Sequence, residues 1–197
     1  MPECQGQPGA EPTPPVRRSR GFRHDSENLV MPQNQVVTSI DAAQEYLAGN
    51  RLDGWLLRDY FDANPILWNV LGGKARNVTR PCWLFIPAAG PPVLLAHDVD
   101  TGRFVELQGT RGGDLFEIRP FASRVDMLNT LKTLVPRNGR VAMEYSPSGE
   151  LPRVARVDAG SVELVRSLGA EVVSSGDVLQ YATERWTPDQ LQSHFFA

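Results

Sequence analysis

The sequence predicts an α/β architecture built on a mixed sheet, and three observations carry that prediction. Short apolar runs of strand length alternate with segments of helical period. Two of the runs, "CWLFIP" (82–87) and "PVLLAHDV" (92–99), are separated by "AAGP", a turn signal that makes them an antiparallel hairpin. The other runs are joined through helices, a connection that favours parallel neighbours.

Taken in order, Thr38 with Asp41 three residues on gives a capping-box-like start to the helix "DAAQEYLAG", which Gly49 ends. "LDGWLLRDY" (52–60) is a strand following a turn signal, and Asp62 opens a second helix in "ANPILWNVLGG" that Gly72 or Gly73 stops. After the hairpin comes a weaker strand near "LFEIRPF" (115–121). The next segment, "SRVDMLNTLKTLV" (123–135), sets Val125, Leu128, Leu131, Leu134 and Val135 at helical spacing. "GRVAMEY" (139–145) is a strand, "DAGSVELVRSLG" (158–169) a helix capped by Asp158 and stopped by Gly169, and "AEVVSS" (170–175) the last strand. "GDVLQYATERW" (176–186) is helical. Thr187, Pro188 and Asp189 then announce one more helix, with cap, first-turn proline and first-turn carboxylate in place.

Residues 1–35 are of a different kind. They are rich in Pro, Gly, Gln and Arg without an apolar period, and they are expected to form a disordered tail. Arg17, Arg18, Arg20 and Arg23 make a basic patch there, but no h-region or amphipathic stripe accompanies it as a targeting peptide requires. The organisation expected is therefore a tail (1–35), one α/β domain (36–184) and a short connector helix (185–197).

At 197 residues, 41% apolar and 22% charged, the chain has the composition of a globular protein with its own core. A formal charge of −3 leaves no basic excess for nucleic acid, and no run approaches the roughly 18 apolar residues of a membrane span. Cys4 and Cys82 are far apart and no structural disulfide is expected, which points to a reducing compartment, the cytoplasm. Asn77-Val78-Thr79 fits a glycosylation pattern without a signal peptide to support it.

Chemistry-bearing patterns are few. "HDVD" (97–100) gathers His97, Asp98 and Asp100, which raises a metal site as one reading. On a strand His97 and Asp98 would face opposite ways, so the other reading is a polar strand end entering a loop. "GTRGGD" (109–114) lacks the Lys-Ser/Thr of a phosphate loop, and no helix follows to supply a dipole. There is no Gly-x-Ser-x-Gly elbow, and Cys82 has no evident His partner. Asp59 and Asp62 flank a strand end, where α/β sheets place ligand-binding groups.

Three stretches carry a resemblance: "LDGWLLRDYFDANPILWNVLG", "TRPCWLFIPAAGPPVLLAHDVD", and the run from "GRVAMEYSP" through "VDAGSVELVRSLG" to "WTPDQL". Together they cover about residues 38–194, and they resemble the N-terminal domain of the creatinase/prolidase/aminopeptidase P family. These are the pita-bread metallopeptidases that cleave bonds next to proline. The resemblance implies a ribonuclease H-like three-layer domain that carries no metal. It implies that the chemistry belongs to a second domain, whose Asp, Asp, His, Glu and Glu ligands hold two divalent ions and activate a bridging water. Those ligands map onto no position here, so no catalytic residue, metal ligand or cofactor is assigned to this chain. In such proteins the N-terminal domain helps form the dimer and restricts access to the active site. Three expectations follow. The chain is a non-catalytic N-terminal domain that pairs as a homodimer or with a pita-bread catalytic domain, and its ending, with Phe195 and Phe196 adjacent, reflects a truncation or frameshift unless these aromatics dock on the domain's own surface. Alternatively it is one half of a peptidase assembled in trans, lending Asp59, Phe61 or Asn64 to substrate access. As a third reading it is a stand-alone binding module.

Overall fold

A computed structural model describes residues 33–196 except 74, 76, 77, 111, 112, 114 and 187, with 33–38 as backbone alone. The elements in chain order are α1 (Gln33–Gly49), β1 (Gly54–Asp59), α2 (Pro65–Val70), β2 (Cys82–Pro87), β3 (Val93–His97), α3 (Asp98–Gly109) and β4 (Glu117–Phe121). They continue with α4 (Arg124–Leu134), β5 (Arg140–Met143), α5 (Ala159–Ser167), β6 (Glu171–Ser174), α6 (Gly176–Thr183) and α7 (Pro188–Phe195). Two single 3-10 turns, Pro147–Gly149 and Pro152–Val154, lie between β5 and α5.

The strands form one six-stranded mixed sheet in the order β4-β3-β2-β1-β5-β6. β2 runs antiparallel to β1 and β3, while the pairs β3–β4, β1–β5 and β5–β6 are parallel. Five strands therefore point the same way, and their carboxyl ends share one rim of the sheet. β1 and β2 are buried on both sides, which explains their nearly unbroken apolar runs. Side chains alternate between two cores. Trp55, Leu57, Leu84, Ile86 and Ala142 face a first core closed by α1, α2, α3 and α6. Leu56, Trp83, Phe85, Leu95, Val141 and Met143 face a second core closed by α4 and α5. The result is three layers. The close pairing of β1 with β2 demands glycine at 54, since a Cβ there would sit 2.4 Å from the Phe85 ring.

Most of the expected elements are present, with four corrections. Helix α1 begins at Gln33, inside the segment expected to be tail, so Thr38 lies within it and is not its cap. The cap of α2 is Asn64, not Asp62, because the Asn64 side chain accepts from the amides of Ile66 and Leu67. The strand expected over 92–99 stops at His97, and helix α3 follows where a loop was expected. The helix was hidden because two of its apolar residues, Val99 and Val105, face solvent and blur the stripe made by Phe104 and Leu107. Finally, Phe195 and Phe196 do not dock on the domain: they are 76% and 83% exposed, and α7 buries none of its residues. Cys4, Asn77, Thr187 and residues 1–32 lie outside the described residues. Among the described residues no helix is long and apolar enough to cross a membrane.

Candidate functional site

From β1 the chain moves outward through β2, β3 and β4, then α4 carries it back over the sheet to β5 on the other side of β1. The strand order thus reverses between β1 and β5. In open α/β sheets the crevice outside the carboxyl ends at such a reversal is the usual ligand site. Here it is bounded by residues 59–64 after β1 and residues 144–158 after β5.

Period-two alternation at the end of β1 sends Asp59 to the first core and Arg58 to the second. On the first face a polar network is sealed from water. Asp59, Asn64 and Glu144 are all fully buried. Trp55 Nε1 donates to Glu144 Oε1 at 2.6 Å, and Asn64 Nδ2 donates to Glu144 Oε2 at 3.0 Å and to the Arg58 carbonyl at 2.9 Å. Asn64 Oδ1 accepts from Ile66 N at 3.1 Å and Leu67 N at 3.4 Å, so both donors and the acceptor of this amide are used. Asp59 Oδ1 and Oδ2 accept from the amides of Asn64 (2.8 Å) and Asp62 (3.1 Å). Burial pushes the Glu144 carboxyl up to about 7, against the bonds from Trp55 and Asn64 that favour its ionised form. Burial likewise pushes the neighbouring Cys82 thiol well above its usual range, with the Asp59 charge adding to the effect.

This network holds a turn with an unusual backbone. Phe61 and Asp62 have φ of 57° and 64°, two successive non-glycine residues in the left-handed region. Each costs on the order of 1 kcal/mol, a strain that persists only where the surroundings over-determine it. The Asp59 carboxylate below and the Ala63 amide, which donates to the Tyr60 carbonyl, supply that constraint. The turn displays Tyr60 and Phe61, 50% and 65% exposed, with their rings 6.2 Å apart. Of the three access residues named from sequence, Phe61 is thus presented to solvent. Asp59 and Asn64 lie beneath it as its support.

On the second face Arg58 Nη1 donates to Asp158 Oδ2 at 2.8 Å, an ion pair that joins the two loops across the strand reversal. The guanidinium carbon lies 5.5 Å from the Trp83 ring centroid and 6.0 Å from that of Tyr60. Asp158 also caps α5, accepting from the amide and hydroxyl of Ser161. Its burial alone would raise its pKa, but the Ser161 hydrogen bonds and the Arg58 charge together hold it below the usual carboxylate range.

The HDVD cluster is accounted for by α3. His97 is its N-cap, Asp98 Oδ1 accepts from Val99 N at 2.7 Å, and buried Asp100 pairs with Arg103. Among the described residues no group of three or more His, Cys, Asp or Glu side chains is placed to hold a metal ion. The GTRGGD segment lies partly outside the described residues. Glu144, Trp55 and Arg58 are the residues that sequence reasoning passed over. The available signal was a carboxylate directly following the apolar run of "VAMEY".

No family model matches the sequence, and no curated protein matches it. Among solved structures, dipeptidase PepE from Mycobacterium ulcerans superimposes with a TM-score of 0.57 at 17% identity, over 81% of this chain and 39% of that one. The chain therefore spans about two-fifths of that dipeptidase. The Creatine_N superfamily domain of a dipeptidase from Streptococcus thermophilus gives 0.54 at 10% identity, over 73% of this chain and 96% of that one. The creatinase/prolidase N-terminal domain of an X-Pro dipeptidase from Streptococcus pyogenes gives 0.52 at 12%, over 72% and 95%. The fold is that of the creatinase/prolidase N-terminal domains.

Proposed function

We propose that this chain is a non-catalytic N-terminal domain of an Xaa-Pro dipeptidase-like metallopeptidase. Its role is to meet a pita-bread catalytic domain, or a second copy of itself, and to shape access to the active site. The observation that carries this reading is the aromatic turn. A strained backbone, clamped from below by a fully buried network, holds Tyr60 and Phe61 out to solvent at the carboxyl rim of the sheet. Such a turn suits contact with a neighbouring domain better than it suits burial in its own.

Helix α7 supports the same reading, because Leu191 and Phe195 on it, and Trp186 just before it, are exposed and find no core in this domain. In this assignment the two divalent ions and the peptide hydrolysis belong to the catalytic domain, and Phe61 is the residue that lines substrate access. The cytoplasm is the compartment that goes with it, in keeping with the buried free thiol of Cys82. Assembly in trans with a separately encoded catalytic domain uses the same surface.

The purified chain, incubated with Mn2+, Co2+ or Zn2+, is expected to bind no metal stoichiometrically and to leave Xaa-Pro dipeptides uncleaved. Metal-dependent turnover by the chain itself overturns the proposal. Mixed with a pita-bread catalytic domain, it is expected to form a complex that Phe61→Ala weakens. A complex indifferent to Phe61 removes the turn from the interface.

A further inference from the structure

Arg58 leads to a second feature of the strand reversal, one that the proposed role in domain assembly does not use. On the second face a cleft of about 440 Å³ opens between the N-termini of α4 and α5, at the carboxyl ends of β1, β3 and β4. Its volume lies within the range of small-molecule sites, roughly 300–1,000 Å³. Strand register builds its floor. Arg58 pairs with Trp83 across β1–β2, and His97 pairs with Phe121 across β3–β4, all four pointing to this face. Met127 and Leu164 close it from the two helices, so the floor is apolar and aromatic.

The rim is rich in donors. Arg124, the first residue of α4, lines the cleft and makes no ion pair or hydrogen bond among the described residues. The capping bonds of α4 use the amides of Asp126 and Met127, leaving those of Arg124 and Val125 for an external acceptor at the positive end of the helix. In the wall, Trp83 is 2% exposed and its indole N–H has no acceptor. A buried donor left without a partner is costly, so this is a position where an incoming acceptor gains most. The acceptors present are engaged: Asp158 takes Arg58, Ser161 N and Ser161 Oγ, and Asp98, beside His97, takes Val99 N. Cationic and neutral donors thus outnumber free acceptors over an apolar floor.

We propose that this cleft binds a small organic carboxylate with an apolar body, its carboxylate taken by Arg124, the α4 N-terminus and the Trp83 indole N–H and its aryl or branched alkyl part on Phe121, Met127 and Leu164. Inorganic phosphate would satisfy the donors but leave the floor uncovered.

The test is an NMR titration of the purified chain with 4-phenylbutyrate, 4-phenylbutanol and inorganic phosphate. 4-Phenylbutyrate is expected to shift the Trp83 indole N–H and the amides of Arg124 and Val125 saturably, while the alcohol binds far more weakly. Arg124→Gln, at an exposed position whose change leaves the core intact, is expected to weaken 4-phenylbutyrate about tenfold, the loss of one charge-assisted hydrogen bond. The proposal fails if the acid produces no saturable shift at these groups, if acid and alcohol bind equally, or if Arg124→Gln leaves the affinity unchanged. Phosphate binding as tight as that of the acid would overturn the apolar part of the assignment.

Discussion

On one face of the sheet the end of β1 is sealed under α2, and the side chains of Asp59, Asn64 and Glu144 are all hydrogen-bonded there. On the other face the next residue back along the same strand stands at the edge of an open cleft. Asp59 and Arg58 are neighbours in sequence and differ by one step of the pleat, yet one is fully buried and the other keeps about a fifth of its side chain in water. The contrast shows how a single strand end can serve two purposes. The sealed face fixes the backbone of the aromatic turn, and the open face keeps its charge available. It also shows why charge behaves differently on the two sides: in the sealed network desolvation dominates, as at Glu144, while at Asp158 hydrogen bonds and a cation outweigh it.

Asn64 is where the sealed face is most easily broken. Removing its amide takes away the α2 cap and one donor to Glu144, both buried, and one donor to the part-buried Arg58 carbonyl. Loss of a cap costs about 1 kcal/mol and each stranded buried group about 1–3 kcal/mol, so Asn64→Ala is expected to destabilise the fold by roughly 3–5 kcal/mol. Urea denaturation measures this directly. A loss under about 1 kcal/mol would mean that water enters the network and that the face is not sealed.

A smaller effect, and a more specific one, is the pH dependence set by Glu144. Its folded pKa stands near 7 against an ordinary 4.5, so between those values the folded chain holds a proton that the unfolded chain has released. Stability therefore falls as pH rises from about 4.5 to about 7, then levels off, with an upper bound on the order of 3 kcal/mol. Glu144→Gln is expected to flatten this slope. The variant is also expected to be less stable below pH 5, because its NH2 must face either Trp55 Nε1 or Asn64 Nδ2, both donors. Stability that instead stays flat through this window would show that Glu144 is ionised in the folded protein.

The sheet was largely legible in the sequence because fully buried strands leave unbroken apolar runs, as in Trp83–Ile86 and Trp55–Leu57. A cap was legible where the capping residue stands alone before a periodic run, as at Asp158. Asp62 misled because two cap-forming residues sit two apart, and only the backbone decides between them: a left-handed Asp62 cannot start the helix, so Asn64 does. The sites were much less legible. Glu144 meets Trp55 and Asn64 across 89 and 80 positions, and Arg58 meets Asp158 across 100. No local spacing encodes those meetings. They follow from strand order, which a single sequence does not state.

The Arg58–Asp158 pair is the mildest test of the comparison, and it bears on the open face alone. Asp158 is more than half exposed, so the attraction across 2.8 Å is screened by solvent. A double-mutant cycle with Arg58→Gln and Asp158→Asn suits the geometry, since asparagine still accepts from the Ser161 amide and preserves the α5 cap. The coupling expected is about 0.5–1 kcal/mol at low salt, declining as ionic strength rises. Its pH dependence has the opposite sign to that of Glu144. The folded pKa of Asp158 is depressed, so its contribution is present above the ordinary value of 3.8 and disappears as pH falls through the lower folded value. Stability would then show two slopes of opposite sign, an acid-side rise from the open face and a fall toward neutrality from the sealed one. A coupling as large as the loss at Asn64 would mean that the cleft excludes water as the network does, and the distinction between the two faces would disappear.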